Sequence, residues 1–308
     1  MTAQVLTALV PAILLIALGW CLRARQLLPD SFWPPAEWLS YYILLPALFI
    51  HGLATTDLGA LPVGRMFAVL VGSVTLTAAA VVAARRAAPV DDAGFTSVFQ
   101  GAIRFNNYVG VLLATGLYGA EGTALAAVAN AAIVPTVNIL SVLVFSRYGA
   151  ARTTPLGVLR QVATNPLVLA CVMGGALQAT GIGLAPPLAG ALKALGQAAL
   201  AMGLLCVGAA LDLRGVTGDG RAILWASVVK FAVLPAVTLA ACLALGLSGA
   251  AGVVAVLFHA LPTASSSYIL SRRMGGDARL MASITAAQTL IAAVAVPVAV
   301  LAAAAMLP

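Results

Sequence analysis

Long apolar segments recur along most of the chain, and they constrain its fold more than any other feature of the sequence. A helix of roughly 20 apolar residues is long enough to cross a lipid bilayer. The segments are continuous rather than alternating, which is typical of membrane-spanning helices and not of β-barrel strands. We therefore predict an all-α polytopic membrane protein with about ten transmembrane helices, over residues 4–22, 37–54, 63–84, 96–117, 123–145, 164–179, 188–211, 222–245, 250–270 and 280–304.

Composition supports this prediction and excludes other classes of protein. Of the 308 residues, 62% are hydrophobic and 8% are charged, whereas soluble domains have about 45–50% apolar and about 25% charged residues. Such a chain cannot cover a water-soluble surface, so an ordinary soluble enzyme and a nucleic-acid-binding protein are both excluded. The formal net charge of +7 does not indicate a nucleic-acid partner, because its meaning depends on where the basic residues lie.

The cysteines do not indicate a metal centre or a disulfide framework. Cys21, Cys171, Cys206 and Cys242 all lie in apolar segments, with no CxxC pair and no pair of histidines nearby. Metal sites and disulfide scaffolds have characteristic cysteine spacings, and these are absent from the sequence. We expect the four cysteines to be packing residues, and we expect neither a bound metal nor a cofactor.

The basic residues predict how the chain is oriented. If the N-terminus lies outside, twelve arginines fall on the cytoplasmic side, and only Arg65 and Lys193 fall at span ends on the opposite side. Membrane proteins retain loops rich in Lys and Arg in the cytoplasm. We therefore expect a multi-pass protein of the inner (plasma) membrane with its N-terminus and C-terminus outside.

The two halves of the chain resemble each other at an offset of about 155 residues. Among the matches, Pro11 aligns with Pro166, and Gly19 aligns with Gly174. Each half has five predicted spans, an odd number, so the second half enters the membrane from the opposite side. Inverted repeats of this kind are typical of secondary transporters, although chance similarity between Ala/Leu/Val-rich segments is an alternative. The predicted division is 1–148 for the first repeat, 149–163 for a short cytoplasmic connection, and 164–308 for the second repeat.

Polar residues interrupt the fourth and the ninth predicted spans at equivalent depths. Asn106 and Asn107 lie in the fourth span, and an offset of 156 aligns Asn106 with Pro262 in the ninth. Proline removes a backbone donor and clashes with the preceding turn, and the freed backbone groups need partners. We predict that both helices are broken and cross near the midplane, where transporters bind their substrates. The alternative is that Asn106, Asn107 and the serines Ser265, Ser266 and Ser267 only hold helices together.

Two basic residues lie away from the cytoplasmic ends of the spans. Arg104 precedes Asn106 by two residues, and Lys230 follows Arg221 by nine residues, or about 13 Å along a helix. An intramembrane cation costs about 2.5–3.5 kcal/mol on insertion scales, and it is by default a functional residue. We expect Arg104 or Lys230 to compensate the charge of an anionic substrate, supported by the N-termini of half-helices. The alternatives are capping of freed carbonyls or a hydrated vestibule.

No carboxylate lies clearly in the middle of a span, since all nine Asp and Glu residues are at or near span ends. This weakens the case for a carboxylate proton relay and for a cation-selective pore. His259, one turn before Pro262, is the only candidate proton carrier, and a satisfied buried histidine is the alternative. Asn130, Asn138 and Gln288 are weaker candidates beside the crossing.

Several motifs together resemble the auxin efflux carrier family, whose bacterial members are often called malonate or dicarboxylate permeases. The resemblance covers essentially the whole chain. It rests on Phe105-Asn106-Asn107-Tyr108-Val109-Gly110, on the Pro/Ser ninth span, on Gly275-Gly276-Asp277-Ala278-Arg279-Leu280-Met281-Ala282-Ser283, on Gln288-Thr289-Leu290 and on Pro297. The resemblance implies a fold like that of the bile-acid sodium symporters, with spans 1, 2, 6 and 7 as a scaffold and the other spans as a transport domain.

The same resemblance implies elevator-like alternating access, a homodimer, and small organic anions as substrates. The crossing asparagine of the family corresponds to Asn106 or Asn107. The ninth span departs from the family pattern, because it has Pro262-Thr263 and serines where a second asparagine is expected. The long cytoplasmic loop of the plant carriers is also absent, since only residues 146–163 join the halves.

The sequence therefore predicts a secondary transporter that moves a small carboxylate across the lipid bilayer without covalent chemistry. The alternative is a sodium- or proton-coupled symporter of a neutral or amphipathic substrate. An intramembrane enzyme is disfavoured because no nucleophile–base pair lies within a span, and a channel because no charged ring is present. The candidate substrate-binding residues are Arg104, Asn106, Asn107, Tyr108, Lys230, His259, Pro262, Thr263, Ser265, Ser266 and Ser267.

Overall fold

The computed structural model describes residues 2–149, 157, 160, 163–211, 220–264 and 266–307. Within these ranges the secondary structure is helical and contains no strand, as the apolar segments predicted. The main helices are α1 Thr2–Ala24, α2 Trp33–Leu39, α3 Leu45–Ala54, α4 Val63–Ala83, α5 Asp92–Ile103, α6 Asn107–Tyr148, α7 Pro166–Ala179, α8 Pro186–Ala209, α9 Gly220–Val228, α10 Leu234–Leu245, α11 Gly249–His259, α12 Ser266–Met274 and α13 Ala278–Met306.

Six helical stretches in the described part of the chain are long and apolar enough to cross a membrane. They are Thr7–Ala24, Val63–Ala87, Asp92–Tyr148, Pro186–Ala209, Gly220–Leu245 and Ala278–Met306. The stretch Asp92–Tyr148 has 57 residues and contains two of the predicted spans. The helices α7 and α11 are apolar but shorter. The structure is therefore that of a multi-pass membrane protein, while the number of ten spans stays a prediction.

Two π-helical turns connect short helices into longer ones. Ser40–Leu44 joins α2 to α3, and Val229–Val233 joins α9 to α10. Each π turn is followed by a Leu-Pro pair, which contains Pro46 or Pro235. A proline ring clashes with the carbonyl one turn earlier, and a widened turn relieves this clash without ending the helix.

A tight reversal divides α6 into two helical parts at Gly119, whose φ and ψ angles are 59° and −131°. Positive φ is readily accessible to glycine because it has no Cβ. The reversal lies between the predicted spans 96–117 and 123–145, where the sequence indicated a turn.

The chain forms two compact units. Unit 1 comprises Met1–Gly64, Asn107–Ala131 and Ala163–Ala210. Small residues allow its helices to approach closely. A Cβ at Gly19 or Gly208 would collide with backbone atoms of Leu205 or Ile16, respectively, so α1 and α8 pack directly against each other.

Unit 2 comprises Arg65–Asn106, Ala132–Val162 and Leu211–Pro308. Its core contains a cluster in which α5, α9 and α13 meet through Val98, Ala226 and Ile284. At Gly101, a Cβ would lie 2.7 Å from Ile284 Cγ2, so this position on α5 has no room for a side chain. This packing places α5 firmly against α9 and α13 just before α5 ends.

The two units are interleaved in sequence and differ from the predicted repeats. The four segments expected to form a scaffold, predicted spans 1, 2, 6 and 7, all lie in unit 1. Residues 107–131 also belong to unit 1, although the family resemblance placed the whole fourth span with the transport domain. The repeat boundaries and the inverted relation stay predictions, and most of the connection 149–163 lies outside the described residues.

Candidate substrate site

Two helices of the described structure are interrupted at the positions that the sequence singled out. α5 ends at Ile103 and α6 begins at Asn107, with Arg104 in an extended conformation between them (φ −75°, ψ 159°). α11 ends at His259 and α12 begins at Ser266. We call these interruptions the α5–α6 break and the α11–α12 break.

A backbone hydrogen bond joins the two breaks. The Asn106 N–H donates to the carbonyl oxygen of Pro262 at 2.8 Å. Beside it, the rings of Phe105 and Phe258 pack edge to face with their centroids 5.7 Å apart. The predicted approach of Asn106 and Pro262 is therefore present as a direct contact within unit 2.

Gln288, on α13, binds the backbone of both breaks. Its Nε2 donates to the carbonyl oxygen of Gly101 at 2.9 Å, and its Oε1 accepts from the Thr263 N–H at 3.1 Å. The side chain is fully buried, where unpaired backbone groups are costly. The sequence ranked Gln288 as a weaker candidate, and the structure gives it a role in supporting both breaks.

Arg104 extends from the α5–α6 break toward the second break. Its Nη1 donates to Asn138 Oδ1 at 2.9 Å, and its Nη2 donates to Ser266 Oγ at 3.3 Å. Both of these acceptors are uncharged side chains. Because Ser266 is the first residue of α12, the guanidinium lies beside a helix N-terminus, and both contribute positive potential.

The hydroxyl residues of the α11–α12 break pack among themselves. Thr263 Oγ1 lies 3.2 Å from Ser267 Oγ, and both residues are fully buried. The Ser267 N–H donates to Ala264 O at 3.0 Å, which begins the first turn of α12. Ser266 is only partly buried, so it is the more accessible of the two described serines. Ser265 lies outside the described residues.

The two asparagines differ in exposure. Asn106 is buried and belongs to unit 2, whereas Asn107 is more exposed and begins the unit 1 segment. Tyr108 is also in unit 1, and its ring lies so close to Gly203 that a Cβ there would overlap it. The more exposed amide of Asn107 makes it the better candidate for direct contact with a substrate.

Lys230 and His259 belong to another group of buried side chains in unit 2. Both are 0% exposed. His259 Nδ1 lies 2.7 Å from Thr238 Oγ1 and 3.3 Å from Ser73 Oγ. The assignment of Lys230 and His259 to substrate binding stays a prediction.

Sequence reasoning overlooked Ser73 and Thr238. A signal was available, because each is a polar residue inside a long apolar segment. Thr238 also follows Lys230 by eight residues, and eight residues are close to two helical turns, so they share one face. Gln100 was overlooked too, although its Nε2 donates to Ser271 Oγ at 2.9 Å and links α5 to α12.

A family of known proteins matches the second half of the chain. Residues 152–300 match the family model Mem_trans, described as a membrane transport protein. A comparison with curated proteins gave no match. The matched residues include Lys230, Gln288 and the α11–α12 break. Residues 152–300 thus match the membrane transport protein family, which is the family of the auxin efflux carriers that the motifs of the chain resemble.

Proposed function

We propose that the protein is a secondary carrier that moves a small organic anion, a carboxylate, across the inner membrane. The observation that carries this proposal is the position of Arg104. Its guanidinium lies where the two helix breaks meet, and it donates to Ser266 at the N-terminus of α12. A positive side chain beside a helix N-terminus is a suitable site for an anion.

The neighbouring side chains have the donors that a carboxylate needs. A guanidinium can bind a carboxylate through two parallel N–H bonds, and amide N–H groups and hydroxyl groups can donate to the remaining oxygen lone pairs. We assign charge compensation to Arg104, amide donation to Asn107 with Asn106, and hydroxyl donation to Ser266 with Thr263, Ser265 and Ser267. Neither covalent chemistry nor a cofactor is required.

We propose alternating access of the elevator type for the transport step. The division of the chain supports this, because the segments expected to form the scaffold fall in unit 1, while Arg104 and the α11–α12 break fall in unit 2. In this proposal Arg104 and the α11–α12 break move with the anion, and ten spans in two inverted repeats form the fold. We also propose that the protein forms a homodimer through the scaffold and that both termini lie outside.

Sodium- or proton-coupled symport of a neutral or amphipathic substrate is the second candidate. It would use the same fold and would need a cation site. Transport that is independent of both a sodium gradient and a pH gradient would exclude it.

Uptake by proteoliposomes tests the carboxylate proposal. The purified protein is reconstituted, and uptake of radiolabelled acetate, lactate, malonate and succinate is measured. We expect saturable uptake of at least one of these anions, and we expect the N106A/N107A double variant to lose most of it. The Gln197→Ala variant is the matched control, because it removes an amide that is exposed on α8.

Each negative result has a separate meaning. If the wild-type protein transports none of the four anions, small carboxylates are the wrong substrate class. If the double variant transports at the wild-type rate, the asparagines do not form the site. Gel filtration and thermal unfolding of each variant identify losses that are due to misfolding.

A further inference from the structure

Unit 2 contains a cluster of buried polar side chains beside the α11–α12 break. It comprises Lys230 between α9 and α10, His259 at the end of α11, Thr238 on α10 and Ser73 on α4, and all four are at least 98% buried. Buried polar atoms normally have hydrogen-bond partners. In the described part of the chain, Lys230 Nζ and His259 Nε2 have none.

The hydroxyl groups fix the tautomer of the His259 imidazole. Ser73 Oγ donates to Val69 O at 2.6 Å, and Thr238 Oγ1 donates to Leu234 O at 2.7 Å. Each hydroxyl has a single proton, so these short bonds leave Thr238 Oγ1 as an acceptor toward Nδ1, 2.7 Å away. We therefore expect the Nδ1 atom to carry the imidazole proton and Nε2 to have a bare lone pair.

The basic side chains of the cluster share one buried environment. Lys230 and His259 are both fully buried, and His259 bonds to Thr238 on the helix that continues from Lys230. An ammonium and an imidazolium in one desolvated site repel each other strongly. Double protonation is thus disfavoured, whereas one proton is accommodated on either nitrogen. The hydroxyl oxygens of Ser227 and Thr77, one turn from Lys230 and Ser73 on the same helices, are also buried without a partner among the described residues.

Other titratable groups lie on the helices that pack around this cluster. Every charged residue of α4, α5, α9 and α13 lies in the first turn of its helix. The titratable and charged residues of the surrounding helices are Arg65 on α4, Asp92 on α5, Arg221 on α9, Cys242 on α10 and Arg279 on α13.

Asp92, the acid on α5, lies well away from Lys230. Gly101 on α5 packs against Ala226, one turn before Lys230. Asp92 precedes Gly101 by nine residues, or about 13 Å along the helix, and it pairs with Arg85 at 2.8 Å. Asp92 is therefore not positioned to exchange a proton with Lys230.

We propose that Lys230 and His259 form a buried binding site for a single proton, and that this proton is the ion that accompanies the carboxylate. The coupling rests on the proposed transport function. A proton from water adds to the lone pair of Nζ or Nε2, and it leaves by the same route, so no other bond forms or breaks. His259 lies three residues before Pro262, whose carbonyl accepts the hydrogen bond from Asn106. In this proposal protonation of His259 therefore changes the electrostatic environment of the junction between the two breaks.

Selective isotope labelling tests the proton site directly, because the chain has two lysines and two histidines. In a full-length H51Q/K193R variant, Lys230 and His259 give the only lysine and histidine side-chain signals. The protein is labelled with ¹⁵N-lysine and ¹⁵N-histidine, placed in lipid nanodiscs, and followed by NMR as the pH is lowered. A K230M variant that retains Lys193 gives the reference titration of an exposed amine.

We expect the neutral imidazole to carry its proton on Nδ1, and the Nζ and Nε2 signals to change together in one step. Simultaneous change indicates a shared proton, because strongly coupled groups titrate as a pair. The proposal is overturned if Nε2 carries the proton of the neutral ring, if neither signal changes, or if the two change in separate steps. The same titration of a K230M/H51Q variant tests whether removal of the Lys230 amine alters the titration of His259. An unaltered His259 titration also overturns the proposal.

A flux measurement tests the coupling separately. In proteoliposomes with the membrane potential clamped, an imposed pH gradient should drive malonate accumulation by the wild-type protein. If Lys230 and His259 titrate together but malonate uptake is independent of the pH gradient, the proposed coupling of the proton to carboxylate transport is wrong. If no carboxylate is transported at all, the proposed function fails, while the result of the titration still decides the proton site.

Discussion

The guanidinium of Arg104 is the side chain on which the anion proposal depends most. Its bonds to Asn138 and Ser266, at 2.9 and 3.3 Å, fix its direction. A guanidinium has five N–H donors in one plane, so it can hold neutral acceptors and bind a carboxylate at the same time. Arginine is therefore better suited to this position than lysine, whose charge is concentrated on one atom.

Substitution of Arg104 should separate the effect of charge from that of shape. We expect R104K to lower the affinity for malonate about tenfold or more, because loss of a hydrogen bond to a charged group costs roughly 1.5–3 kcal/mol. We expect R104Q to lower it further, because the positive charge is also removed. The dependence of the initial uptake rate on malonate concentration measures both effects.

The matched control is R65Q. Arg65 also donates to a neutral acceptor, Gly246 O at 3.3 Å, but it lies at the beginning of α4. A wild-type Michaelis constant for R104Q would mean that Arg104 supports the structure and does not bind the anion.

The sequence identified the residues of the breaks but not all of their partners. The alignment of Asn106 with Pro262 could be obtained from the repeat offset, and these residues do touch. The role of Gln288 could not be obtained from the sequence, because Gln288 binds backbone atoms of Gly101 and Thr263. Backbone groups are nearly the same in every residue type, so the residue types do not reveal such a contact. Ser73 and Thr238 could be noticed as polar residues in apolar segments, but their contact with His259 could not be predicted, since a single hydroxyl in an apolar helix usually bonds its own backbone.

At the scale of the helices, α13 supports both breaks through Gln288. The ends of α5 and α11 leave backbone groups without intrahelical partners, and these groups lie in a membrane protein interior without bulk water. One amide side chain provides a donor for Gly101 O and an acceptor for the Thr263 N–H. A single substitution on α13 therefore affects two interruptions that are far apart in sequence.

The Q288L variant should be measurably less stable than the wild-type protein. Leucine has a similar size but leaves both backbone groups unpaired, at a cost of about 1–3 kcal/mol for each. We expect a lower unfolding temperature, measured by the fluorescence of a thiol-reactive dye on the buried cysteines. The control is Q197L, which makes the same change on the exposed surface of α8, and equal losses in both variants would contradict the role of Gln288.

Helix positions could be predicted from the sequence more reliably than helix irregularities. Each apolar segment contains helix, and the bounds of α8 and α13 differ from the predicted segments 188–211 and 280–304 by two residues at each end. The π turns before Pro46 and Pro235 were not predicted. Apolar periodicity does not distinguish a π turn from an α turn over five residues, because the helix continues on both sides.

At the scale of the whole molecule, the two compact units are assembled from alternating parts of the chain. Unit 1 and unit 2 each contain three separate segments. A similarity between sequence halves cannot indicate this division, because it compares positions along the chain, whereas compact units depend on which helices pack together. The apolar segments thus predicted the membrane class. The spans that the family resemblance assigned to a scaffold lie in unit 1, but residues 107–131, which it assigned to the transport domain, lie there too.

The predicted orientation can be tested by labelling single cysteines in a variant with the four native cysteines replaced by alanine. Leu27 is 66% exposed after α1, and Ile182 is 77% exposed between α7 and α8. The arginine distribution places Leu27 in the cytoplasm and Ile182 outside. In right-side-out vesicles, a membrane-impermeant maleimide should label I182C and leave L27C unlabelled until the membrane is opened. The reverse pattern would invert the topology.

The bond between Asn106 and Pro262 has a consequence for how such carriers diverge. Both bonding atoms belong to the main chain, so almost any residue at either position offers the same donor or acceptor. Evolution can therefore exchange the side chains around the junction one at a time while the junction itself persists. New substrate preferences can arise by stepwise mutation, without passing through an ancestor in which the two helices have lost their connection.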